Sequence, residues 1–346
     1  MRPCSARGVE LIDVPLSELR IDPIAGHKVL IAEDRAGRPN DFESAEAILP
    51  AGEFSCPFCA GHEQETPSAL QVFPDDRGGW RVRVIPNKFP AVSKADPEVS
   101  KKTRVQLFSS QPAYGAHEVI IESPRHFRDI TELSLDEFTE VLFVCRDRLR
   151  YWSCDTKMRY AAWFKNVGFA AGASLEHAHS QLVALPFVPE VVANEMQVSR
   201  QFYDQKGDCI FCRLLQEEIK QGERIVTEEG PFVAFCAYAG RQPFETWILP
   251  KQHAPHFEQL ADEKIPPLAS LLQQAVSCLQ TQINPLSYNL ILHTTPFGKK
   301  EARFYHWHLE LIPRTAQLAG FEWGTGLYIN SLSPERAATL LRDSKI

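Results

Sequence analysis

HAHSQLVAL (177–185) returns as HWHLELIP (306–313), and what precedes each copy runs in the same order. Each series opens with a Cys-x-x-Cys pair, Cys56-Pro-Phe-Cys59 or Cys209-Ile-Phe-Cys212. An apolar strand follows, HEVIIESPRH ending at His126 or ETWILPKQH ending at His253. An amphipathic helix then leads to the His-x-His. The gaps from His126 to His177 and from His253 to His306 nearly match, while the first half carries extra residues earlier, including WRVRVIPNKFPAV (80–92). A repeat of this kind predicts an α+β protein of two similar halves, residues 1–190 and 191–346. Each half is expected to be an antiparallel sheet with packed helices, together forming one pseudo-symmetric subunit.

Working outward, HEVIIE, HSQLVALP, PFETWIL, YNLILH and HLELIP alternate or run apolar, as strands with one or two covered faces do. Ser134 and Glu137 form a capping-box pair, after which Phe138, Val141, Leu142, Cys145, Leu149 and Trp152 recur at helical spacing. Pro266-Pro267 opens a second helix with Leu268, Leu271, Leu272, Ala275 and Leu279 on one stripe. Ser333-Pro334-Glu335 starts a short last helix. Pro186 to Lys206 joins the halves and lacks the composition of a flexible linker, so the halves are expected to pack together.

At 346 residues with 44% hydrophobic side chains, the chain can bury a full interior. A net charge of −7 argues against a nucleic-acid binder, which needs clustered cations. No apolar run approaches a membrane span, and the first residues lack a secretory apolar stretch, so the expected location is cytoplasmic. In that reducing setting, four of the nine cysteines falling in two Cys-x-x-Cys pairs point to metal binding or redox chemistry. Two thiolates and two imidazoles close a tetrahedral zinc site. The sets are Cys56, Cys59, His126 and His177, then Cys209, Cys212, His253 and His306. His256 and His293 lie near enough in sequence to compete at the second site.

In a strand His-x-His, both imidazoles share a face, so His177 can bind metal while His179 meets a substrate. Gln181 shares that face and can donate to a phosphoryl oxygen. An imidazole is a neutral nucleophile near physiological pH and needs no separate base, which suits His179 to carry a nucleotidyl group. A His-x-His also suits a plain pair of metal ligands. Upstream, NVGFAAGAS (166–174) places small residues, among them Gly172 and Ser174, where backbone and hydroxyl donors can approach a phosphate. Arg35 and Arg38 offer two guanidiniums for a diphosphate.

Taken together, DPIAG (22–26), RAGRP (35–39), CPFC (56–59), SPRH (123–126), Asn166 through Gln181, PFE (243–245) and GFE (320–322) resemble the galactose-1-phosphate uridylyltransferase family. That family belongs to the histidine-triad superfamily, and the resemblance is to its branch of plant ADP-glucose phosphorylase-like proteins. The resemblance implies that His179 attacks the α-phosphorus of a nucleotide sugar, releasing sugar 1-phosphate, and that a second sugar phosphate then takes the nucleotidyl group. It further implies that Gln181 and Ser174 hold phosphoryl oxygens, Arg35 and Arg38 the phosphates, Asn87 and Asn166 the nucleotide or its phosphates, and Glu322 the sugar. A homodimer with its sites near the interface is also implied. Better-known bacterial members use iron in the second half, whereas Cys209 and Cys212 imply zinc there. Glu310 stands where the repeat would place a second Gln181, so the second half is expected to do no chemistry. The expected activity is UDP-glucose:hexose-1-phosphate uridylyl transfer through uridylyl-His179. An ADP-sugar phosphorylase of the same chemistry is the first alternative, and a non-catalytic zinc-scaffolded binding module is the second.

Overall fold

Apolar segments that partly alternate in burial, as in His179–Leu185, or are buried on both faces, as in Phe232–Cys236, Thr246–Pro250 and His308–Pro313, form one long antiparallel sheet in a computed structural model that describes residues 17–37, 56–94, 103–105, 107–110, 112–299 and 302–344. In chain order the elements begin with β1 (Glu18–Ile21), β2 (Lys28–Ile31), β3 (Gln71–Pro74), β4 (Trp80–Pro86), β5 (Thr103–Val105), β6 (Phe108–Ser110) and β7 (Ala116–Ile121). Next come α1 (Leu135–Ser153), β8 (Tyr160–Val167), β9 (His179–Leu185), α2 (Glu190–Lys206) and α3 (Ile210–Gln221). The second half adds β10 (Ile225–Glu229), β11 (Phe232–Cys236), β12 (Thr246–Pro250), α4 (Ile265–Gln282), β13 (Tyr288–His293) and β14 (His308–Pro313). The chain closes with α5 (Gly320–Thr325), β15 (Leu327–Asn330) and α6 (Pro334–Asp343).

Ten strands form a single sheet in the order β10-β11-β12-β14-β13-β8-β9-β7-β4-β3. Read inward from either edge, the halves have the same plan: β3, β4, β7, β9, β8 match β10, β11, β12, β14, β13. The matched inner strands β8 and β13 pair antiparallel at the centre, Tyr288 opposite Val167 and Ile291 opposite Phe164. The repeat in the sequence is therefore a repeat in space.

Helices α1 and α4 lie on one face. Their Phe138, Leu142, Leu149, Leu268, Leu272 and Leu279 join Ile120, Leu182, Ala184, Ile248, Leu309 and Leu311 of the strands in one core. Each of these fully buried Leu, Ile or Phe side chains contributes about 1.5–3 kcal/mol. Ser134 caps α1 as its spacing predicts: its hydroxyl accepts from the Glu137 amide, and Glu137 Oε2 accepts from the Ser134 amide at 2.8 Å. Such a cap contributes about 1 kcal/mol.

The other face carries both Cys-x-x-Cys pairs, the first in a turn and the second at the start of α3. In the first half Cys56 and Phe58 pack with Trp80, Ile85, Val119 and Ile121. In the second, Ile210, Phe211 and Leu215 of α3 pack on Val233, Phe235, Trp247 and Leu249, with Met196 and Phe202 of α2 against them. That face is thus roofed by two helices in the second half. A small sheet, β1-β2-β15, attaches to the second half: Arg20 Nη1 donates to Tyr238 O at 3.1 Å and Asn330 Nδ2 to Gly240 O at 2.9 Å.

Candidate functional site

The start of β9 carries His179 and Gln181 on the face away from α1, because Ser180 and Leu182 alternate onto the helix side. Lys165 of β8 anchors that start from below: fully buried, its Nζ donates to Glu122 Oε2 at 2.7 Å and to the His179 carbonyl at 3.1 Å. The His179 ring is 7% exposed and sits edge-on to Phe58 at 5.3 Å. Its Nδ1 lies 2.6 Å from the His177 carbonyl. A carbonyl only accepts, so Nδ1 carries the proton and Nε2 keeps its lone pair. Burial lowers the His179 pKa below the ordinary value, which keeps the ring neutral.

Beside it stands a sulfur–nitrogen cluster. Cys56 Sγ lies 3.5 Å from His177 Nδ1, Cys59 Sγ 3.5 Å from His126 Nδ1 and 3.6 Å from His177 Nδ1. All four ligand atoms fall within 4.8 Å of one another. Standard zinc–sulfur and zinc–nitrogen bonds at a tetrahedral angle put S and N ~3.6 Å apart, so the donor set fits that ion. His177 Nε2 donates to the Ser123 carbonyl at 2.8 Å, the outer contact that orients a ligating imidazole. Burial pushes the His177 pKa down to about 4, leaving Nδ1 free to ligate.

Cys209, Cys212, His253 and His306 converge in the same way, with Cys212 Sγ 3.3 Å from His253 Nδ1 and 3.5 Å from His306 Nδ1. The two competitors named from the sequence lie elsewhere. His256 Nδ1 pairs with Glu258 Oε1 at 3.1 Å. His293 Nδ1 pairs with Glu195 Oε1 at 2.9 Å, in a buried group that also holds His308 and Glu310. Glu195 accepts from Tyr305 Oη at 2.7 Å, and Glu310 is ion-paired with Arg241. The spatial counterpart of His179 is His308, which is 0% exposed, stacked on Trp247 at 4.9 Å and beside Phe211 at 5.0 Å. No face of it is open to a substrate.

Gln181 is half-buried, and its Oε1 lies 2.8 Å from His117 Nε2 and 3.4 Å from Asn87 Nδ2. Asn87 follows β4, and its Oδ1 accepts from the Phe89 amide at 2.8 Å. His117, on β7, was not singled out from the sequence. The alternation HEVIIE puts it on the face of Val119, but only the register reveals the contact, since Val119 lies opposite Gln181.

The loop from Asn166 is built by close packing. Gly168 has φ 79°, and a Cβ there would stand 2.1 Å from Ser287 Oγ, so only glycine fits. Asn166 Oδ1 accepts from Asn289 Nδ2 at 2.7 Å. Gly172 is also left-handed, at φ 82°, with open space around it, and Ser174 is exposed. A cavity of about 600 Å3 reaches His177 and His179, bounded by Asn166, Phe169, Leu175 and Ser287. A second, of about 380 Å3, is lined by Asn87, His117, Lys94 and Trp152.

Arg35 and Glu322 are not brought to this cluster. Arg35 is exposed in the turn Glu33–Gly37 after β2, and Glu322 on α5 accepts from its own helix start at Ala319 N, 2.9 Å away. Among the described residues no hydrogen bond joins either to His179 or Gln181. Arg38 lies outside the described residues. Among the described residues no helix is long and apolar enough to cross a membrane.

Residues 9–189 match the family profile described as galactose-1-phosphate uridyl transferase, N-terminal domain, and residues 195–343 its C-terminal domain. The chain is 35% identical to an ADP-glucose phosphorylase from Arabidopsis thaliana over 94% of this chain and 92% of that one. It is 26% identical to a galactose-1-phosphate uridylyltransferase from Thermotoga maritima, covering 96% and 99% of the two chains. A crystal structure of an Arabidopsis thaliana ADP-glucose phosphorylase with bound ADP-glucose superposes with a TM-score of 0.82 at 34% identity, covering 95% of this chain and 99% of that one. With two profiles spanning nearly its whole length and a relative this similar, the chain belongs to the galactose-1-phosphate uridyl transferase family and is an enzyme of transferase or phosphorylase type.

Proposed function

We propose that the protein transfers a nucleotidyl group from a nucleotide sugar through a covalent bond to His179 Nε2. The observation that carries this reading is the 2.6 Å contact from His179 Nδ1 to the His177 carbonyl, which commits Nε2 to carry a lone pair. That lone pair attacks the α-phosphorus, the bond to the bridging oxygen breaks, and sugar 1-phosphate leaves. An oxygen of the acceptor phosphate then attacks the same phosphorus and returns the electron pair to Nε2. The Gln181 amide holds a non-bridging oxygen through both steps, and Ser174, Gly172 and Asn166 supply further polar contacts from the loop.

We read the donor as ADP-glucose, with adenylyl transfer to phosphate giving ADP. This is favoured by 35% identity to a phosphorylase of that name, against 26% and 29% for the uridylyltransferases of Thermotoga maritima and Haemophilus influenzae. UDP-glucose with a hexose 1-phosphate acceptor is the second reading, supported by both family profiles. Zinc in each Cys₂His₂ group is part of the proposal. Bound there it closes a structural site, and Cys56, Cys59 and His126 thereby clamp His177 and the strand start that carries His179. We also assign Arg35, Arg38 and Glu322 to the site of a neighbouring copy in a homodimer. Within one chain neither Arg35 nor Glu322 is hydrogen-bonded to His179 or Gln181 among the described residues, and the 76% exposure of Trp323 beside Glu322 leaves room for a neighbouring copy, which together support this.

The deciding experiment incubates the protein with ADP-glucose or UDP-glucose alone and reads intact mass and the modified peptide. AMP on His179 is the expected result, absent in His179→Asn of unchanged fold. UMP alone would transfer the assignment to the uridylyl reading. No adduct from either donor, with both metal sites filled, would sink nucleotidyl transfer.

A further inference from the structure

We propose that His117 is a positioning residue that aims the Gln181 amide, so that its NH₂ faces the phosphoryl group on His179. The inference rests on the nucleotidyl-transfer reading above. An amide can be turned end for end at little cost. One orientation offers a donor to a phosphoryl oxygen and the other presents a carbonyl oxygen to it, which repels. Something must choose.

The hydrogen bonds around His117 make that choice. The Ala91 amide points at His117 Nδ1, 3.2 Å away, so Nδ1 accepts and the ring proton sits on Nε2. Nε2 therefore donates, and the atom 2.8 Å from it is Gln181 Oε1. The neighbouring Asn87 is fixed independently: the Phe89 amide donates to its Oδ1 at 2.8 Å, which leaves Nδ2 as a second donor 3.4 Å from the same Gln181 oxygen. Asn87 Nδ2 and His117 Nε2 are 3.1 Å apart, and as two donors they share one acceptor rather than bond to each other. With Oε1 claimed twice, both Gln181 N–H groups are left for the reacting side. His117 can reach it because Val119 lies opposite Gln181 and His117 opposite Val183, which puts His117 diagonally across the same face.

The test is a double-mutant cycle on the rate at which saturating donor loads His179, using His117→Phe, Gln181→Ala and the pair. His117→Phe alone should slow loading about tenfold, the scale of one oriented hydrogen bond, while the half-saturating donor concentration stays nearly constant. On the Gln181→Ala background the same change should cost nothing further. Additive losses, or a His117→Phe enzyme as fast as the parent, overturn the proposal. Should His117→Phe fail to fold, imidazole 15N shifts of the unaltered protein decide: an Nε2–H tautomer at His117 supports the proposal, and Nδ1–H overturns it. An unaltered protein that never loads His179 removes the underlying reading and this proposal together, whereas one that loads as fast as His117→Phe removes this proposal alone.

Discussion

Cys59 and Cys212 occupy equivalent places in the repeat, yet their loss should be felt differently. Cys59 lies 3.6 Å from His177 Nδ1, and His177 in turn holds the His179 ring through its carbonyl. Cys59→Ser is expected to lower zinc content by one equivalent per chain and to abolish loading of His179. Cys212→Ser should lose the other equivalent and stability, since its partners His253 and His306 support the sealed half, while folded molecules still load His179. Metal analysis beside the loading assay checks both; equal loss of loading in the two variants would contradict this division. The His-x-His and Cys-x-x-Cys spacings were legible in the sequence because each is a local pattern with few meanings. His117 was not, because its role depends on which residue of β9 lies across from it. Nor did glycine content tell a ligand contact from packing: Gly168 is required by Ser287, a neighbour distant in sequence.

Among elements, α1, α4 and α6 begin where capping serine or proline placed them, and their apolar stripes are the ones buried. Helix α2 was harder to read. Its buried positions include Glu195 and Ser199, polar residues that break the stripe, so Pro186–Lys206 read only as a connection. Glu195 is buried because it docks α2 on β13 through His293, within reach of Tyr305, His308, Glu310 and Arg241. Burial works to lower the His293 pKa, but the Glu195 and Glu310 carboxylates raise it to about 9. An unfolded histidine titrates near pH 6.5, so the folded state holds this proton more tightly. The stability it contributes is fully present below about pH 6.5 and is lost as pH rises through about 9. Urea unfolding of Glu195→Gln should show lower stability at pH 6 and a smaller further loss by pH 10 than the unaltered protein. Parallel pH profiles for the two would show that the pair does not hold the helix.

At the level of the whole molecule, the α+β plan and its internal repeat were readable, since both halves write out the same order of motifs. What the sequence could not show is that the halves share one ladder of hydrogen bonds, or that α2 and α3 roof one half's working face and leave the other's free. That asymmetry explains why His308 is enclosed while His179 borders a cavity. The proposed homodimer predicts complementation: inactive His179→Asn and inactive Glu322→Ala chains, mixed after dissociation and reassociated, should regain about a quarter of the parent activity through statistical pairing in which one of two sites is intact. Activity that stays absent, in particles sized as dimers, would place Glu322 in its own chain's site.

The β8–β13 junction has a consequence for origins and for fragments. Two strands that pair antiparallel across a local twofold would pair equally well if they were the same strand from two molecules. Cut free, either half would present that inner strand as a bare edge, a template that recruits a copy of itself. The intact chain is thus geometrically a tethered pair, one member's His-x-His strand bordering a cavity and the other's sealed inside.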